Sequence, residues 1–177
     1  DDPAIRQLYF TACLLSHYQQ LWLWSEHRDK LADFNIEKPL WVFVGNKVAD
    51  EDSDILAVIH FLADFLNDER RAQNWLADLV SDRARLLDQQ GRNIFQNRFA
   101  PLMSWKGREA ELYADILQRL FNAPSRQRLK LVNLKNSKGE LALRVGEADP
   151  FGLINIGDDA GFFNTAKEHT SFDSEAD

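Results

Sequence analysis

The sequence predicts a mixed α/β fold that is helix-rich, with a small mixed sheet built from one strand–helix unit, a β-hairpin and a short third strand. Three observations predict it. "LWVFV" (40–44) is a continuous apolar run of strand-favouring residues that stops at Gly45 and leads into a helical pattern. "RLKLVNLKNSKGELALRVG" (128–146) has two apolar stretches about a turn, with Leu141, Leu143 and Val145 alternating with Ala142 and Arg144. Most of the rest, as far as residue 122, carries apolar residues at helical spacing.

In chain order, residues 3–34 read as one long helix or a helix pair. Asp1–Asp2–Pro3 is a helix start: a capping acid, then proline at an early helical position. Leu8, Phe10, Leu14, Leu15, Tyr18, Leu21, Leu23 and Trp24 are too dense for a thin stripe, so this element is expected to be buried on more than one side. They serve either as core or as a docking surface. Pro39 breaks the pattern. The run 40–44 does not alternate, and continuity of that kind implies burial on both faces, as in parallel sheets. Ser53 or Asp52 can cap the next helix, whose apolar face is Ile55, Leu56, Val58, Ile59, Leu62, Phe65 and Leu66.

From Glu69 to Asn122 the pattern is read as helical, with Trp75, Leu76, Leu79 and Val80 on one helix. After Gly91, "NIFQNRFAPLMSW" is a short helix or an irregular stretch, and "REAELYADILQRLF" (108–121) is a further amphipathic helix. The hairpin follows Pro124, with "NSKG" (136–139) at its turn. "FGLINIG" (151–157), with glycine near both ends, gives the third strand, and the polar residues after Phe163 are expected to be disordered.

At 177 residues, 45% hydrophobic, with twelve Phe and five Trp, the chain has the composition of a globular protein with one full-sized core or two small ones. No apolar run approaches the roughly 18 residues that span a bilayer. The start "DDPAIRQ" lacks the features of a secretory signal and an initiator Met, so a segment of a longer cytoplasmic polypeptide is expected. The single cysteine, Cys13, cannot form an internal disulfide or a Cys-rich zinc site and is read as a structural thiol; nothing in the sequence sets His17, His27, His60 or His169 beside it. A net charge of −7 argues against nucleic-acid binding through bulk charge. The acids are concentrated in "ADEDSD" (49–54) and the tail, however, and 70–138 is net basic.

The chain has no G-x-x-x-x-G-K-[ST], H-E-x-x-H, G-x-S-x-G or Cys pair, and no GxGxxG follows the first predicted strand. No catalytic residue, cofactor site or metal site is assigned. "QQGRNIFQNR" (89–98) has the wrong spacing for an arginine-finger motif, and "DEDSD" lacks the Gly and final Glu of an EF-hand loop. "VGNKV" (44–48) is the best candidate. At a strand's carboxyl end, exposed backbone N–H groups and the Lys47 ammonium can hold a phosphate, or the stretch is an ordinary strand–helix loop.

Taken together, "KPLWVFVGNKV", "SDILAVIHFLADFLND", "LYADILQRLF" and "GELALRVGEADPFGLINIGD" resemble the middle of the ATP-dependent restriction (Res) subunits of type III restriction enzymes and related DEAD/DEAH-box proteins. These are superfamily 2 helicase-like translocases. The resemblance covers most of 35–160, and no block in it is a catalytic signature. It implies that 40–44 opens the second RecA-like domain, incomplete here, and that Gly45, Asn46 and Lys47 approach a nucleic-acid backbone. It also implies ATP and Mg in the longer protein, with DNA, the missing RecA-like domains and a modification subunit as partners, and no membrane.

The expected organisation is a helical segment (1–34), the strand–helix start of the RecA-like domain (35–68), a helical insertion (69–123), the hairpin and short strand (124–163), and the tail (164–177). The function expected is that of a non-catalytic piece of a DNA translocase. A protein-interaction module, using the aromatic N-terminal helix and Trp105, is the alternative. A stand-alone hydrolase has little support, because Ser104, Ser125, His60 and His169 have no recognisable spacing.

Overall fold

The computed structural model describes residues 2–45, 53–134, 139–157, 161, 162, 164 and 166, and the backbone of 173–176. It has the helix-rich, mixed α/β character read from the sequence. The chain divides into two compact units, Asp1–Val42 with Arg70–Tyr113, and Phe43–Glu69 with Ala114–Asp177.

In the first unit, α1 (Pro3–Glu26) starts where expected: the Asp2 carboxylate accepts from Ala4 N at 2.9 Å, and Pro3 occupies the first turn. Proline suits that place because its missing N–H would have had no helical partner. Leu14, Leu15, Tyr18 and Leu21 are buried, while Leu8, Phe10, Leu23 and Trp24 are half-buried. His27 leaves helical geometry (φ −117°, ψ 15°), so a second short helix, α2 (Arg28–Ala32), completes a helix pair. It closes at Asn35, whose φ of 53° is left-handed, a conformation asparagine tolerates better than most residues.

Helix α4 (Glu69–Val80) buries Ala72, Leu76, Leu79 and Val80. The stretch 81–99, read from the sequence as helical up to Gly91, is not helical. Two short polar side chains organise it. Asp88 accepts from Gln90 N and Arg92 N, both at 2.9 Å. Asn93 accepts from Leu86 N and Phe95 N at 3.2 Å and donates to Ala84 O at 3.1 Å. Side chains of this kind bond nearby backbone and so compete with a helix. A 3₁₀ helix (Ala100–Trp105) follows, then α5 (Glu109–Phe121), which runs from the first unit into the second.

In the second unit, α3 (Asp54–Asn67) is capped by Ser53, whose Oγ accepts from Ile55 N at 3.2 Å. It buries Leu56, Ile59, Phe61, Leu62, Phe65 and Leu66. The hairpin forms as expected from β1 (Leu129–Asn133) and β2 (Glu140–Val145), in register Leu131↔Leu143, and β3 (Gly152–Asn155) adds antiparallel to β2. Most of the "NSKG" turn lies outside the described residues. Phe121 joins helix to sheet end, stacking on Phe65 at 6.2 Å and meeting Phe151 edge-on at 4.8 Å.

Two expectations about the sheet are corrected. The tail, expected to be disordered, supplies β4 (Asp173–Ala176), which pairs parallel to β1 and makes the sheet four-stranded and mixed in the order β3-β2-β1-β4. Leu40 to Val44, expected as an interior strand, belong to no sheet among the described residues. They lie without regular structure, with Leu40 84%, Val42 66% and Val44 92% exposed. A strand exists only by pairing, and no neighbouring strand among the described residues meets this run.

Candidate functional site

Of the three residues proposed for phosphate contact, Asn46 and Lys47 lie outside the described residues. Gly45 sits in the second unit beside the start of α3, where a Cβ would stand 3.0 Å from Ile55 Cγ1 and 3.6 Å from Asp54 Cβ. Glycine therefore suits the close approach of this loop base to the helix. In "FGLINIG", a Cβ on Gly152 would make ordinary contact with Leu143 at 3.4 Å, and one on Gly157 would meet nothing within 4 Å; the tight position is Gly139. Gly157 lies against Gly139, where a Cβ on Gly139 would come within 3.1 Å of Gly157 Cα, and Ile156 N donates to Gly139 O at 2.9 Å.

Of the arginines in the basic stretch, Arg83 is paired with Asp78 at 3.0 Å and Arg92 with Asp88 at 2.8 Å. Arg71 stacks over Trp75 at 5.3 Å. Arg92 is thus a local brace for its own loop.

A shallow cleft of about 560 Å³ lies in the first unit, lined by Cys13, Ser16, His17, Gln19, Gln20, Trp41 and Arg98. Cys13, Ser16, His17 and Gln20 stand at i, i+3, i+4 and i+7, one stripe of α1. Trp41 supplies an aromatic wall, its ring 5.6 Å from that of His17 and tilted by 33°. Arg98, on the exposed end of the braced 81–99 stretch, makes no ion pair among the described residues. Gln19 is 9% exposed; its Nε2 donates to Arg98 O at 3.4 Å, and its Oε1 is buried with no hydrogen-bond partner among the described residues.

The cleft brings together two residues that sequence reasoning kept apart. Cys13 and His17 share it, and their spacing of four on a helix was the available signal. They are not an activated pair. Burial pushes the Cys13 thiol up, against smaller lowering effects from a Tyr9 hydrogen bond and the Arg98 charge. Burial also pushes His17 down, helped by Lys38. Both changes favour the neutral forms, a protonated thiol and an uncharged imidazole, which suits binding better than nucleophilic attack.

Among the described residues no cluster of His, Cys, Asp and Glu could hold a metal ion. No described helix is long and apolar enough to cross a membrane. No protein-family model matches the chain, nor does any curated protein or solved structure.

Proposed function

We propose that the chain is a non-catalytic segment of an ATP-dependent DNA helicase or translocase of the type III restriction Res kind, contributing motor-domain structure and nucleic-acid contacts. The observation that carries this reading is the state of Leu40 to Val44. The run is apolar at every position, yet Leu40, Val42 and Val44 face solvent and make no backbone hydrogen bond among the described residues. A sequence of that pattern is suited to burial on both faces of a sheet, and on this reading its partner strands belong to the longer polypeptide. On this reading the longer polypeptide is cytoplasmic, supplies the other RecA-like strands and the sites for ATP and Mg, and works with a modification subunit. Gly45, Asn46 and Lys47 then stand at the strand's carboxyl end, toward the nucleic-acid backbone.

Lys47 with Arg70, Arg71, Arg83, Arg85, Arg92 and Arg98 would supply phosphate contacts. Replacing each by Gln in the longer polypeptide is expected to weaken DNA binding across all sequences. Each lost contact should also lower the slope of log affinity against log salt by about 0.7–0.9. The smallest losses are expected at Arg83 and Arg92, which already have carboxylate partners. Binding that ignores both salt and these changes would overturn the DNA assignment.

The exposed run also supports the second reading, a protein-interaction module. Its surface would be 34–44, where Phe34 is 74% exposed, rather than α1, whose larger apolar residues are mostly covered, or Trp105, which is half-buried beneath Arg108. Pull-downs with and without DNA separate the two readings.

A further inference from the structure

We propose that the α1 cleft of the first unit binds a nucleoside phosphate, its base against the Trp41–His17 wall and its phosphate on Arg98. The inference concerns a site within one unit, in the arrangement that leaves Leu40 to Val44 outside any sheet among the described residues. Four features of the cleft select this ligand chemistry.

The lining includes one cation, Arg98, and no carboxylate, so the cleft favours an anion. Arg98 has no ion-pair partner to displace among the described residues, and guanidinium forks match phosphate oxygens. Trp41 and His17 form an aromatic wall, and burial favours the neutral His17 ring, so the wall is suited to stacking a flat heterocycle. Gln19 is nine-tenths buried on the cleft lining, and its Oε1 lacks a donor. A buried acceptor without a partner is costly, and a turn of the Gln19 side chain that brings Oε1 to the cleft would let it accept from the N–H groups on a base edge. An inorganic anion would use Arg98 alone and leave the aromatic wall and Gln19 idle.

Cys13 is a built-in reporter, because it is the only thiol in the chain and it lines the cleft. The test follows alkylation of the intact chain by iodoacetamide at pH 8.5, with added dTMP, a ten-residue oligo-dT, or inorganic phosphate. The expected result is that dTMP and oligo-dT slow labelling in a saturable way, while phosphate at equal concentration does not. Protection by oligo-dT at much lower nucleotide concentration than dTMP assigns the site to a single strand; equal protection per nucleotide assigns it to free nucleotide.

Arg98→Gln and Gln19→Leu are each expected to weaken protection about tenfold, the loss of one charge-assisted or buried hydrogen bond, with circular dichroism verifying that both remain folded. The Trp41 indole N–H resonance, assigned through Trp41→Phe, gives a second measure that needs only the wild-type chain, and it should shift on titration with dTMP. Unchanged labelling and an unmoved Trp41 resonance at millimolar dTMP and oligo-dT would overturn the proposal. So would protection by phosphate equal to that by dTMP.

Discussion

Gly139 has φ of +85°, and a side chain there would meet the backbone of Gly157 at 3.1–3.2 Å. Both constraints act on the same atom, and the neighbour is backbone, which cannot rotate away. Gly139→Ala should therefore destabilise the second unit by about 1–3 kcal/mol, read as a lower midpoint in denaturant unfolding. An unchanged midpoint would mean the two turns are not packed as described. Some single-residue features were legible in advance. Asp2, Pro3 and Ser53 act through their own neighbours in sequence, so their capping roles were readable from the letters alone. Gln19 was not, because an amide oxygen without a donor is a property of its surroundings. The Cys13–His17 stripe stood between these cases: four-residue spacing was visible, but the cleft also needs Trp41 and Arg98, which come from distant parts of the chain.

At the scale of elements, α3, α5 and the hairpin were readable because each has a period that a single segment can satisfy. Phe121 shows how they then lock together. It is 2% exposed and touches Phe65 of α3 and Phe151 ahead of β3. Phe121→Ala removes both contacts and leaves a cavity, and is expected to cost about 3–5 kcal/mol in equilibrium unfolding. A loss under 1 kcal/mol would contradict this packing. The elements misread fail for related reasons. The stretch 81–99 carries apolar residues compatible with a helix, but Asp88 and Asn93 capture the backbone instead. Strand β4 has the sequence DSEA, with no apolar alternation to announce it, and it joins the sheet by backbone pairing to β1. The run 40–44 has strong strand letters and no strand. Letters state what a segment needs, and only a neighbour can meet that need.

At the scale of the whole molecule, the mixed, helix-rich class was legible, and composition left one full-sized core or two small ones open. The expected boundaries followed changes in composition along the chain, whereas each unit combines segments far apart in sequence. The charge is also arranged at this scale: the chain is acidic overall, with net charge −7, while the arginines proposed for phosphate contact all fall between residues 70 and 98 in the first unit. The central proposal is that Leu40 to Val44, which belong to no sheet among the described residues, pair with strands of a longer polypeptide. Amide hydrogen exchange at Leu40, Val42 and Val44 tests this most directly, in the 177-residue chain and in a longer polypeptide carrying its flanking sequence. Near-unprotected exchange in the first and slowing by about 100-fold or more in the second is the predicted result. Protection already present in the shorter chain, or none gained in the longer one, would contradict it.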